Sequence, residues 1–182
     1  VIIDKVEYSL PDISSVEELE FRIKTLTYGL LLTKEGFGVD YYETELEKLC
    51  LESHNGSVTY SIRIKTEDLT NDYEYKYLGS LKIKKNNFKV IQQKILSGQY
   101  QDSQRAAVSI RLFLKGKLYG EYTGLNNFYS VKISSNNICI YNVETRSSKK
   151  INMKDSIPQL LFFHYNDKDS SSCGDLFYFR KN

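Results

Sequence analysis

The chain has 182 residues, of which 41% are hydrophobic and 26% charged, with a formal net charge of +2. That is enough chain to bury a core without disulfides or metals, and too apolar a balance for intrinsic disorder. A pI near 8.3 excludes a strongly basic nucleic-acid binder by overall charge, while a local basic patch is left open.

Residues 1–8 alternate loosely, with Ile3, Val6 and Tyr8 set against Asp4, Lys5 and Glu7, and predict a first strand ended by Pro11. Ser15-Val16-Glu17-Glu18 has the form of a capping box, a hydroxyl and a Glu that reciprocally satisfy orphan N–H groups. From it Val16, Leu19, Ile23, Leu26 and Leu30 recur at three- and four-residue steps, which predicts an amphipathic helix to about Leu32. Gly36-Phe37-Gly38 breaks that pattern. Asp40 and Glu43 repeat the capping spacing, and Tyr42, Leu46, Leu49 and Cys50 share one helical face. A second helix to about Ser53 follows, with a short strand over 37–42 as the alternative for its start.

The chain is organised around residues 57–85, two alternating runs (57–67 and 73–85) joined by the polar link Asp68-Leu69-Thr70-Asn71-Asp72. Val58, Tyr60, Ile62 and Ile64 fall on one face of the first. Tyr73, Tyr75, Tyr77, Leu81 and Ile83 fall on one face of the second. Paired as an antiparallel hairpin, the two would bring their apolar sides together under the helix of 16–30. Asn87 then caps an expected short helix over 88–97, with Phe88, Ile91 and Ile95 inward and Gly98 as its stop. A β-meander follows: 108–114, the turn Lys115-Gly116-Lys117, 118–123, 128–133, the turn at 134–137, and 138–143. Residues 145–152 read as a polar basic loop. Asp155 or Ser156 opens a last helix through Leu160, Leu161 and His164, with Pro158 in its first turn, and 176–180 closes the sheet.

The sum is an α+β fold, a mainly antiparallel sheet of roughly six to eight strands with helices packed on one face. One domain over 1–182 is expected; 99–104 is the one candidate linker and is too short to argue two. Abundant Lys, Asn and Tyr fit an AT-rich coding genome, of a low-GC bacterium, a virus or a lower eukaryote, and say nothing about chemistry. No family resemblance emerges from these residues.

The candidate sites are few. Arg63, Lys65, Lys76, Lys82, Lys84 and Lys85 would line the polar face of the hairpin as a row of cations able to hold phosphates. A solvated sheet face is the simpler account, since the Tyr residues fall on the apolar side by parity. Glu74-Tyr75-Lys76 is a Glu-x-Lys tripeptide on a strand, which with Asp40 or Asp12 upstream could bind Mg²⁺ and orient water in a nuclease. The tripeptide is common in any Glu- and Lys-rich chain, and Pro11-Asp12 lies too far upstream to complete the motif. Cys50 and His54 have helical spacing, but His164, Cys139 and Cys173 are scattered, so a buried Cys beside a surface His is preferred to zinc. Cys173 with His164 as a nucleophilic pair has no local signature in its favour.

Leu160-Leu161-Phe162-Phe163 is apolar on all sides, buried by default and otherwise a hint of an assembly surface. An odd set of three unclustered Cys points to reduced thiols and an intracellular setting. The chain starts at Val1 and not at Met, so a processed leader, secretion and glycosylation of Asn55 in Asn55-Gly56-Ser57 are left open. No apolar run is long enough to span a membrane. The expected function is therefore a non-enzymatic binding domain without cofactors, its partner another protein, as in an assembly subunit, an inhibitor or an immunity-type factor. Nucleic-acid binding through the basic face, extended to metal-dependent cleavage, is the alternative.

Overall fold

A computed structural model describes residues 2–3, 6–7, 18–24, 29–33, 39–54, 56–65, 70–98, 105–164 and 174–182. The strands are β1 (Ile2–Ile3), β2 (Val6–Glu7), β3 (Glu18–Lys24), β4 (Gly29–Thr33), β5 (Thr59–Lys65), β6 (Thr70–Ile83) and β7 (Asn86–Gly98). They continue as β8 (Arg105–Leu114), β9 (Lys117–Leu125), β10 (Tyr129–Ser134), β11 (Asn137–Asn142), β12 (Ser148–Asn152), β13 (Leu160–His164) and β14 (Gly174–Lys181). Among the described residues the single helix is α1 (Val39–Ser53). The protein is mostly antiparallel sheet, so the expectation of several helices packed on one face is corrected. β1 and β2 pair with each other. The main sheet has nine strands in the order β13-β14-β9-β8-β7-β6-β5-β3-β4, and β10-β11-β12 form a separate three-stranded sheet.

The hairpin read from the sequence is present as β5 and β6, in register at Thr59↔Lys76 and Ile62↔Tyr73. The second expected helix is α1, and its Leu46, Leu49 and Cys50 are buried as their spacing requires. The meander holds through β9 and then divides. β10 to β12 leave the main sheet, and β14 takes the place beside β9.

Four expected elements are corrected. The helix expected over 16–32 is the hairpin β3–β4, paired at Phe21↔Leu32 and Ile23↔Leu30. Leu19, Phe21 and Ile23 also alternate with Glu18, Glu20, Arg22 and Lys24, so a strand period coexists with the helical one. The capping residue Ser15 lies outside the described residues, as does the proposed linker over 99–104. The helix expected over 88–97 is β7, in the middle of the main sheet and covered on both faces. Phe88 and Val90 are buried on one face and Ile91 and Gln93 on the other, so the buried set 88, 90, 91 mimics helical spacing. The loop expected over 145–152 contains β12, an edge strand in which Ile151 is buried and Lys150 exposed. The helix expected from Asp155 onward is β13, with Leu161 and Phe163 in the core and Leu160 pointing out.

Two cores lie on opposite faces of the main sheet. In the first, Leu46, Leu49, Cys50 and Leu51 of α1 cover Tyr60, Ile62, Tyr73, Tyr75, Tyr77 and Ile91. In the second, the small sheet (Tyr129, Val131, Ile138, Ile140, Ile151) lies over Leu81, Phe88, Val90, Ile110, Tyr122, Phe163 and Phe177. Strand β6 serves both. Its pairing with β7 shifts between Tyr77 and Gly79, from Tyr77↔Ile91 to Gly79↔Val90, and the extra residue Leu78 forms a β-bulge. Odd-numbered residues before the bulge therefore face α1, and odd-numbered residues after it face the small sheet. Gly79 adopts φ +134°, and a Cβ built there would lie 3.3 Å from Cβ of Ile133 in β10.

Candidate functional site

The bulge decides where the hairpin's cations point. Arg63 and Lys76 leave the face opposite α1, whereas Lys82 lies beyond the bulge on the α1 side, next to Ser80, whose hydroxyl meets Tyr77 at 2.8 Å. Lys84 and Lys85 form the β6–β7 turn, Lys84 at φ +53°. The six cations are thus not one row. Arg63 is engaged by its cross-strand neighbour Asp72, with Nε 2.6 Å from Oδ1 and Nη2 2.8 Å from Oδ2, a bidentate pair. Lys65 pairs with Thr70 through its backbone, and its side chain, like that of Asp40, lies outside the described residues.

Glu74 and Lys76 project from the face opposite α1, whose first turn holds Asp40, so the sheet stands between Asp40 and this pair. Glu74 is 3.8 Å from Lys94. Among the described residues no three His, Cys, Asp or Glu side chains gather into a metal-binding group. Cys50 is fully buried beneath α1, and burial pushes its thiol up to about 12. His54 is exposed past the helix end, its Nδ1 2.9 Å from the Glu52 carbonyl oxygen and its ring edge-on to Tyr77. The two do not form one site. Cys139 is part-buried on β11; Asn55, Asp12 and Cys173 lie outside the described residues.

Two buried polar groupings were not legible from spacing, because their members meet only through strand register. Beneath α1, Gln93 donates to the Tyr75 hydroxyl at 2.7 Å and accepts from Ser109 at 3.2 Å, one row across β6, β7 and β8. Glu121 stands between two guanidinium groups, 3.5 Å from Nε of Arg111 and 2.5 Å from Nη2 of Arg180, and Arg111 also pairs with Glu47 of α1. The first links three neighbouring strands of the sheet, and the second ties α1 to it. The Tyr122 hydroxyl donates to the Pro158 carbonyl at 2.7 Å, and burial raises its phenol above the ordinary value.

Among the described residues, large apolar side chains are exposed on the small sheet and at one end of the main sheet. Val143 donates its N–H to the Phe128 carbonyl at 2.8 Å, continuing the β10–β11 ladder. By alternation Phe128, Tyr141 and Val143 share its outward face, and they are 43%, 40% and 56% exposed. On the main sheet Leu160 and Tyr178 are directly opposite each other and also exposed. Beside the small sheet lies a cleft of about 460 Å³, between β10 and the bulge of β6, with Lys76, Leu78, Gln92, Val131, Lys132 and Ile133 in its walls.

No protein-family model, no curated protein and no solved structure matches this chain. Among the described residues no helix is long and apolar enough to cross a membrane.

Proposed function

We propose that this chain is a non-enzymatic binding domain and that its partner is another protein. The observation that carries the reading is the contiguous exposed apolar group Phe128, Tyr141 and Val143 on the outward face of the small sheet. Single exposed apolar side chains are ordinary, but large ones grouped as ladder neighbours mark surfaces that associate. Among the described residues, the division of the hairpin's lysines by the bulge and the engagement of Arg63 by Asp72 leave no continuous cationic track that would favour nucleic acid.

The test is affinity capture from lysate of the source cell, with and without nuclease, using wild type and a Phe128→Ser/Tyr141→Ser double variant. A stoichiometric protein should persist after nuclease and be lost with the double variant, which should melt like wild type. Recovery of nucleic acid alone would overturn the reading.

A further inference from the structure

We infer that the free edge of β10 is a slot in which an extended acidic segment of a partner adds as a fourth strand of the small sheet. This rests on the protein-binding reading and gives that reading a site. Val143 N–H donates to the Phe128 carbonyl as a ladder bond, so the antiparallel alternation assigns the main-chain groups of residues 130, 132 and 134 to β11. The N–H and C=O of Val131 and Ile133 consequently point away from β11, into the cleft. Among the described residues no strand pairs with β10 on that side. Its six residues, at about 3.3 Å each, offer roughly 20 Å of edge.

On the other side of the sandwich the edge of β13 is guarded. There Lys149 of β12 donates its ammonium to the Phe162 carbonyl, blocking the outer edge of β13 with a charge. Among the described residues no side chain bonds the outward main-chain groups of Val131 or Ile133.

Charge selects the partner. Among the described residues the cleft is lined by Lys76 and Lys132 and by no carboxylate, and both lysines are exposed. Among the described residues neither meets a carboxylate at ion-pair distance, and the adjacent Glu74 is drawn to Lys94. Carboxylate side chains would supply the missing counter-charge. A peptide also matches the edge better than nucleic acid does. Val131 and Ile133 each present a donor and an acceptor, which a strand reciprocates, whereas a phosphodiester chain offers acceptors only.

The probe is a capped, fluorescein-labelled peptide, Glu-Val-Glu-Val-Glu-Val, followed by anisotropy with its Lys-for-Glu counterpart, an alternately N-methylated version and oligothymidine as comparators. The acidic peptide should bind about tenfold or more tightly than the basic one, lose that advantage in Lys76→Glu/Lys132→Glu, and slow amide exchange at Val131 and Ile133. N-methylation, which removes the reciprocal donors without altering the protein, should abolish binding. Equal binding of the N-methylated peptide, or protection of those amides by oligothymidine instead, would overturn the inference. Protein capture lost in Lys76→Glu/Lys132→Glu supports the slot. Capture that survives this change but fails in Phe128→Ser/Tyr141→Ser overturns the slot and leaves the protein-binding reading standing.

Discussion

Replacing Gly79 by Ala tests the feature on which the arrangement of both cores depends. Two costs add. At φ +134° an L-residue is strained by about 1–3 kcal/mol. The new methyl also meets Cβ and Cγ2 of Ile133 at 3.3 and 3.4 Å, so β10 must yield by a few tenths of an ångström, adding up to ~1 kcal/mol. The expected loss is about 1–4 kcal/mol, a large part of a typical domain stability of about 5–15 kcal/mol. Urea unfolding followed by circular dichroism reads it as a lower midpoint with unchanged slope. Gly116→Ala is the control: Gly116 has φ +78° with nothing within 4 Å, so only backbone strain of about 1–2 kcal/mol applies. In an Ile133→Gly background, which removes Cβ as well as Cγ2, the contact part should vanish and the strain part remain. Equal costs in the two backgrounds would refute the contact with β10. A loss below about 0.5 kcal/mol for Gly79→Ala would refute the bulge itself.

Gly120→Ala should destabilise by at least about 1–3 kcal/mol in the same assay, because a Cβ there would sit 2.5 Å from Cζ of Phe179 and 2.6 Å from the Arg180 carbonyl oxygen, a backbone atom that cannot swing away. A neutral result would disprove the β9–β14 register. In the native protein Cys139 should react with iodoacetamide under mildly alkaline conditions while Cys50 reacts only after denaturant, as mass spectrometry would show. The Cys50 thiol has an ordinary value of 9.0 and a folded value of about 12, so between these the unfolded chain holds fewer protons and stability falls as pH rises. A Cys50→Ala variant with the same alkaline slope as wild type would contradict this. Reversing Lys82 and Lys84 to Glu should leave binding of the acidic probe within about twofold of wild type, since Lys82 lies on the far side of the sheet; a tenfold loss would place all the lysines on one surface.

How much of this was legible depends on how many faces each strand buries. Among the described residues β5 and the first half of β6 bury apolar side chains on one face, so Tyr60, Ile62, Tyr73 and Tyr75 alternate cleanly and their pairing could be read. α1 was legible for the same reason, through the single buried stripe of Leu46, Leu49 and Cys50. β7 is covered on both sides, and β3–β4 carries two periods at once, so apolar spacing was silent about which regular structure it served. The bulge was hidden by its own arithmetic. Tyr73, Tyr75 and Tyr77 are odd, Leu81 and Ile83 are odd, and the face changes between them without a break in parity; only Leu78 at an even position followed by a Gly hints at it. The lysine row was projected across that point and came apart there.

The same bulge accounts for the position of the cleft. Below it β6 and β7 give their apolar residues to α1, and so present polar ones, Lys76 and Gln92, on the opposite face. Above it the apolar residues turn to that opposite face, and only there is it worth covering by the small sheet. The cover must therefore stop at Leu78, and the strand at its boundary is β10, where among the described residues no strand takes the outward main-chain groups of Val131 and Ile133. A free strand edge beside uncompensated lysines follows from moving the core across the sheet partway along one strand. Restoring a continuous register at 77–79 would remove the reason for the edge as well as the bulge.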